Sequence, residues 1–178
     1  MTGTVRNLAT LGGPNKGVGA IPHCFSGFIC NIVNSIARSL VYKDFVQDYL
    51  GPAGYFRDPA NLDTYLADSV YLPYVNNEVS QSGSDSIKER FSALNGALFV
   101  MFSEDTMVYP KESEWFWELQ ADEKTVTDVK KTDFYTSDYI GLRALDEAGK
   151  VQYETIQGDH LQFTEQDIDD MIVPFLLS

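Results

Sequence analysis

The sequence predicts an α/β fold, in which helices cover a parallel sheet, and three observations support this prediction. Residues 97–102 (ALFVMF) form an uninterrupted apolar run, which is typical of a strand buried on both faces of a parallel sheet. Two further runs, 5–11 (VRNLATL) and Val151–Ile156 (VQYETI), have strand character, and a glycine-containing breaker follows each of them. Segments whose apolar residues recur at helical spacing separate the three runs.

The helices are predicted from that spacing. The clearest is Phe28–Val41, in which isoleucine, valine and leucine recur every three or four residues. A terminal helix is predicted to start at Thr164, with Asp167 at the capping-box position. The remaining predicted helices are 44–50, 85–94, 112–119 and 138–148.

Composition and charge argue against several classes of partner. The chain has 178 residues, enough for one domain with a core, and a formal net charge of -13. That charge argues against nucleic acid and against electrostatic attachment to anionic lipid. No run of about 18 apolar residues occurs, so no transmembrane segment is predicted. The first residues also lack the apolar stretch of a signal peptide.

The few histidines and cysteines argue against a metal site. The chain has His23, His160, Cys24 and Cys30 as its only residues of these types, and their spacing matches no familiar zinc motif. The Gly-rich loop 12–19 lacks the Gly-Lys-Ser/Thr ending of a phosphate loop, so it is interpreted as a turn. Neither a metal nor another cofactor is predicted.

An acid and a histidine follow consecutive predicted strands. Asp105 lies three residues after the run 97–102, and His160 lies four residues after Val151–Ile156. Functional side chains of open α/β sheets lie beyond the carboxyl ends of strands. An aspartate in this position is also commonly a turn residue or a helix cap, so each residue alone is weak evidence.

The order of these two residues points to acyl-transfer chemistry. In α/β-hydrolases the triad runs nucleophile, acid, histidine along the chain, and the acid orients the imidazole that deprotonates the nucleophile. The nucleophile elbow, Gly-x-Ser-x-Gly, is absent from the sequence: Ser26-Gly27 and Ser82-Gly83 do not match it. The sequence therefore predicts the acid and base of a triad without its serine.

Several blocks together resemble the palmitoyl-protein thioesterases of the lysosomal type. The resemblance runs from about residue 5 to about residue 175, and five blocks occur in the family's order. They are LGG at 11–13 with IPHC at 21–24, VQ at 46–47 with YFRDP at 55–59, SEWF at 113–116, YTSDYIGL at 135–142, and GDHLQ at 158–162.

The resemblance implies an α/β-hydrolase fold and hydrolysis of the thioester that joins a long-chain fatty acid to a protein cysteine. By position, Asp105 and His160 match the family's triad acid and histidine. Residues 1–178 would form a partial α/β-hydrolase domain, the last three strands of its sheet, with 22–94 as a helical insertion. The serine and the oxyanion-hole donors are expected to precede Met1. S-acylated proteins or acyl thioesters are the implied partners, and the lysosome or secretion is the implied location.

The resemblance also implies an acyl groove and a disulfide. Cys24 and Cys30 match a family disulfide, although their spacing is shorter here. The insertion helices match the family's fatty-acyl groove, but an apolar stripe of this kind is more often part of a buried core, and the sequence does not separate the two. The groove residues predicted on this basis are Ile32, Ile36, Leu40, Tyr55 and Phe56.

Two other functions remain open at this point. A nonenzymatic relative could bind acyl chains or a partner protein, and a lipase or another esterase of the same fold would differ in the groove and the leaving group. One feature departs from the family: the sequence has no Asn-x-Ser/Thr sequon, which is unexpected for a lysosomal glycoprotein.

Overall fold

The centre of the protein is a three-stranded parallel sheet. The computed structural model describes residues 5–24 and 28–178, leaving aside the side chains of residues 28–33. The strands are β1 (Asn7–Leu11), β2 (Gly96–Phe102) and β5 (Val151–Ile156), in the order β1-β2-β5. Both pairings are parallel, so the three carboxyl ends meet at one edge of the sheet.

The central strand is buried on both faces, as its apolar run predicts. All seven residues of β2 are buried. On one face Ala97 and Phe99 pack against the aromatic side chains of Phe116 and Phe134. The other face is covered by the C-terminal helix, and its core consists of Leu98, Val100, Phe102, Ile156, Ile172 and Phe175.

Among the described residues, five helices lie between β1 and β2. They are α1 (Phe28–Val41), α2 (Asp44–Tyr49), α3 (Leu62–Asp68), α4 (Leu72–Val75) and α5 (Ser84–Ser92), with a 3₁₀ turn at Gly51–Tyr55. Their apolar side chains form a separate small core around Val41, Tyr42, Phe56, Tyr65 and Leu72. The bounds of α1 agree with the sequence prediction, whereas α3 and α4 lie in a stretch without a clear apolar period.

The helix predicted at 112–119 is wrong. The structure has a 3₁₀ turn at Lys111–Trp115, and Phe116 follows in the left-handed conformation with φ 65°. The Phe116 ring stacks on Phe134 and meets Phe99 edge-on, which holds the residue in this conformation. The chain then enters a short hairpin of β3 (Glu118–Leu119) and β4 (Val126–Thr127).

The helix predicted at 138–148 is shorter than expected. A 3₁₀ turn (Val129–Lys131) and α6 (Asp133–Thr136) precede α7 (Leu142–Glu147). Asp138 has a positive φ of 54°, and its carboxylate accepts a hydrogen bond from the Arg143 backbone N–H at 2.9 Å. This bond satisfies a backbone N–H in the first turn of α7, and the residues before Leu142 form a turn instead of a helix.

The C-terminal segment is helical, and its start agrees with the prediction. Thr164 and Asp167 form a reciprocal capping box at α8 (Glu165–Asp167). A π-helical turn (Ile168–Ile172) and α9 (Val173–Leu177) follow. Pro174 lacks an N–H, so the regular hydrogen-bond ladder is interrupted next to the π turn. In the described part of the chain, no helix is long and apolar enough to cross a membrane.

Candidate active site

The structure brings the predicted acid and histidine into contact. The loops after β2 and β5 carry Asp105 and His160, and Asp105 Oδ2 lies 2.6 Å from His160 Nδ1. The Asp105 side chain is completely buried, whereas the His160 side chain is 24% exposed. The imidazole therefore has one nitrogen on a buried carboxylate and an edge that reactants can reach.

Backbone donors hold the Asp105 carboxylate. Its Oδ1 accepts hydrogen bonds from the N–H groups of Met107 and Val108, both at 2.7 Å. Both carboxylate oxygens are thus engaged, one by the backbone and one by the imidazole. Because Nδ1 faces a carboxylate, we assign the proton to Nδ1, which leaves Nε2 free to accept a proton.

A second aspartate ties the two loops together. Asp159 Oδ1 accepts hydrogen bonds from the Thr106 N–H at 2.7 Å, the Thr106 hydroxyl at 2.8 Å and the His160 N–H at 2.7 Å. The hydrogen bond from the His160 backbone, with those from Thr106, lowers the pKa of Asp159. This carboxylate fixes the distance between the loop of the acid and the loop of the base.

Gly12, the residue that follows β1, lies against the His160 ring. A Cβ atom on Gly12 would lie 3.1 Å from His160 Cε1 and 3.2 Å from Phe102 Cε2, and the residue has φ +62°. Only glycine combines this conformation with so close an approach to the ring. The sequence prediction treated this loop as a simple turn and missed its contact with the imidazole.

A buried glutamate lies next to the pair. Glu114 has no exposed surface, and its Oε2 accepts a hydrogen bond from the Phe102 N–H at 3.2 Å. Burial, and then the nearby Asp105 carboxyl group, raise the pKa of Glu114 to about 9. The sequence prediction quoted this residue within a family block and gave it no role; an acid inside an aromatic segment was the available signal.

Asp105, Glu114 and His160 also form a group of possible ligand atoms within 4.8 Å of one another. We assign their proximity to hydrogen bonding, because His160 Nδ1 and the Asp105 oxygens already have partners within the protein. The other histidine, His23, is exposed on the loop before α1.

An apolar cavity of about 700 Å³ opens beside the imidazole. His160, Met107 and Val108 line it from the strand-end loops, and side chains of the segment between β1 and β2 form the rest of its wall. Most of these side chains are aliphatic or aromatic: Val18, Ala20, Ile21, Pro22, Ala37, Leu40, Val41, Val46, Leu50, Pro52, Ala53, Tyr55 and Phe56.

The predicted groove residues fall into three groups. Leu40, Tyr55 and Phe56 line the cavity. Ile36 is 55% exposed and is not among the lining residues, because it lies on the solvent side of α1. The Ile32 side chain lies outside the described residues.

The predicted Cys24–Cys30 disulfide stays a prediction, because the Cys30 side chain lies outside the described residues. The backbone around Cys24 is well anchored. Its N–H donates to the Ile21 carbonyl at 3.0 Å, and its carbonyl accepts from Asn34 Nδ2 at 2.8 Å.

Comparison with known proteins finds one family. The family model described as palmitoyl protein thioesterase matches residues 1–160. The chain is 34% identical over 160 residues to palmitoyl-protein thioesterase 1 of Caenorhabditis elegans, covering 89% of this chain and 53% of the relative. It is 30% identical over 173 residues to palmitoyl-protein thioesterase-dolichyl pyrophosphate phosphatase fusion 1 of Schizosaccharomyces pombe, covering 96% and 28%.

A third relative has a name that states a location. The chain is 31% identical over 129 residues to the lysosomal thioesterase PPT2 homolog of Drosophila melanogaster, covering 71% of this chain and 44% of the relative. The chain thus spans about half the length, or less, of these curated relatives.

Proposed function

The chain belongs to the palmitoyl protein thioesterase family, and we propose that it supplies the acid, the base and the acyl groove of a hydrolase that cleaves thioesters of long-chain fatty acids on protein cysteines. One observation carries the proposal. The imidazole that Asp105 orients faces an apolar cavity of about 700 Å³. A proton acceptor thereby lies at the end of a space suited to an alkyl chain.

The chemistry follows from the free nitrogen of His160. Nε2 accepts the proton of a serine hydroxyl while the serine oxygen attacks the thioester carbonyl, and the buried Asp105 stabilises the imidazolium. The carbon–sulfur bond breaks, the cysteine thiolate leaves and takes the proton from Nε2, and an acyl-serine remains. Water then gives a proton to Nε2 and attacks the acyl carbon; the bond to the serine oxygen breaks, the proton passes from Nε2 to that oxygen, and the fatty acid is released.

We propose that the serine lies outside the 178 residues, since the sequence contains no nucleophile elbow. We place it, with the oxyanion-hole donors, in a segment that would pair with the edge of β1 that faces away from β2, where no strand of the described residues pairs. In this arrangement residues 1–178 are a partial α/β-hydrolase domain, β1, β2 and β5 are its last three strands, and residues 22–94 are the helical insertion.

The cavity wall supports an acyl ligand. Each methylene removed from water contributes about 0.8 kcal/mol, so a long alkyl chain has enough apolar surface to bind without charged contacts. The formal net charge of -13 argues against nucleic acid as a ligand. S-acylated proteins are the proposed substrates, and the name of the Drosophila relative supports a lysosomal location.

The test is a chimera. The chain is fused to the portion of the Caenorhabditis elegans relative that its match does not cover, and turnover of a palmitoyl thioester is measured. We expect activity that Asp105→Ala and His160→Ala each abolish, with the 178-residue chain alone inactive. A folded but inactive chimera would contradict the proposal, and His160-dependent turnover by the chain alone would contradict the placement of the serine.

The cavity also favours a second candidate, a nonenzymatic protein that binds acyl chains. The two candidates share fatty-acid binding and differ in turnover, so the chimera separates them. Comparing a thioester with the oxyester of the same acid distinguishes a thioesterase from a lipase-like enzyme, because the acyl groove contacts are the same and the leaving group alone changes.

A further inference from the structure

We propose that Glu114 is a positioning residue whose protonated carboxyl group donates a hydrogen bond to the Asp105 carboxylate and holds it against His160. The proposal rests on the proposed function, because it concerns the residues that would act as acid and base. The family resemblance assigns roles to Asp105 and His160 only, and Glu114 would be a third residue of the same site.

The contacts of Glu114 leave one of its oxygens for this bond. Its Oε2 accepts from the Phe102 N–H at 3.2 Å, and its Oε1 is buried without a donor. Carboxyl oxygens of Glu114 and Asp105 lie within 4.8 Å of each other. Two carboxylates facing each other would leave Oε1 unsatisfied and repel, whereas a proton shared between them removes both costs.

The number of donors decides which acid keeps the proton. Asp105 receives three hydrogen bonds, from two backbone N–H groups and the imidazole. Glu114 receives one, from the Phe102 backbone. Because donors stabilise the charged form, Asp105 is the carboxylate and Glu114 is the acid.

The neighbouring charges also favour the neutral form of Glu114. Burial is the main cause of its raised pKa, and Asp105 and then Glu112 raise that pKa further. The ammonium group of Lys111, the basic residue nearest to Glu114 in sequence, donates a hydrogen bond to the Ser103 carbonyl. His160 is a further titratable neighbour, and its Nδ1 contacts Asp105.

A neutral donor suits this position for a chemical reason. It gives the Asp105 carboxylate a fourth hydrogen bond beside the three it already accepts, and it adds no second negative charge beside the imidazole. Gln in place of Glu114 keeps an N–H donor and a carbonyl acceptor. Met has a similar length and keeps neither.

The first experiment detects the proton itself by infrared difference spectroscopy on the purified 178-residue chain. At neutral pH, we expect Glu114→Gln to remove an absorption of a protonated carboxyl group, while the control Glu112→Gln leaves that absorption in place. If Glu114→Gln removes only carboxylate absorption, Glu114 is ionised and the proposal is wrong.

The second experiment detects the positioning by nitrogen NMR of the imidazole rings. The chain has two histidines, so His23→Gln assigns the His160 signals without ambiguity. We expect Glu114→Gln to keep the neutral tautomer with the proton on Nδ1, and Glu114→Met to give a mixture of tautomers. A Met variant that is folded by circular dichroism and keeps the wild-type signals would overturn the proposal; if that variant does not fold, the infrared result decides.

Neither measurement involves turnover, so failure of the proposed function is recognised separately, by an inactive chimera. In an active chimera, we expect Glu114→Met to lower kcat on the order of 10²-fold, as for other misplaced catalytic groups, with KM little changed. Glu114→Gln should keep most of the activity, and a merely space-filling role would not produce this difference between Gln and Met.

Discussion

At the scale of single residues, Gly12 determines how closely β1 approaches the imidazole. We expect Gly12→Ala to displace the His160 ring, because the new Cβ would meet Cε1 at 3.1 Å in a backbone with φ +62°. Gly149→Ala is the matched control, since Gly149 has φ +72° and no atom within 4 Å of an added Cβ. Left-handed strain alone costs about 1–2 kcal/mol. Denaturant unfolding should show that cost in both variants and a larger one for Gly12→Ala, with shifted His160 NMR signals in that variant alone.

The raised pKa of Glu114 predicts a pH dependence of stability. Its pKa is about 9 in the folded protein against an ordinary 4.5. Between these values the folded state holds a proton that the unfolded state has lost, so stability falls as pH rises. We expect the free energy of unfolding to decline from about pH 4.5 towards pH 9 more steeply in wild type than in Glu114→Gln. Parallel curves for the two proteins would contradict the raised pKa.

Sequence patterns identify Asp105 and His160 because each follows a strand that can be recognised locally. Gly12, Glu114 and Asp159 escape such reasoning, since their roles arise from contacts with residues far away in the chain. Glu114, for example, acts through the Phe102 N–H and Asp105, which only the folded sheet brings beside it.

At the scale of elements, the capping box of the C-terminal helix is testable. Thr164 and Asp167 each accept a hydrogen bond from the other's backbone N–H, at 3.2 and 2.7 Å. Thr164→Ala removes one of these bonds and should lower the free energy of unfolding by about 1 kcal/mol. Thr164→Ser retains the hydroxyl and should lose much less. Equal losses in urea denaturation would assign the effect to packing of the threonine methyl group.

Regular elements with a strong period are predictable, and elements held by tertiary contacts are not. The strand β2 and the helix α1 (Phe28–Val41) follow from their apolar patterns. The segment 112–119 has helix-like aromatic spacing, yet Phe116 adopts φ 65° because its ring packs between Phe99 and Phe134. Local propensity is overridden there by packing energy that no short window of sequence contains.

At the scale of the whole molecule, a buried lysine joins segments that are distant in sequence. The completely buried Lys16 side chain pairs with Glu78 at 2.5 Å and with Glu118 at 3.2 Å. Lys16→Met leaves Glu78 without a cation and Glu118 with Arg57 alone, at 3.4 Å, and should cost about 3–5 kcal/mol. The exposed Lys124→Met is the control and should change stability little. Similar melting temperatures for both variants would show that Glu78 and Glu118 find other compensation.

The cavity forms where the segment between β1 and β2 packs over the strand-end loops, so it depends on the folded chain as a whole. Leu40 lines the cavity and is 50% exposed, whereas Phe45 is 74% exposed and is not among the lining residues. Both positions should accept aspartate without unfolding, but only Leu40→Asp places a carboxylate where the alkyl chain would bind. We expect Leu40→Asp to raise the Kd for a long-chain fatty acid at least about tenfold, equivalent to about 1.4 kcal/mol, and Phe45→Asp to leave it unchanged. Titration with a fluorescent fatty acid measures both values. Wild-type affinity in Leu40→Asp would place the acyl chain elsewhere and separate the cavity from His160 in function.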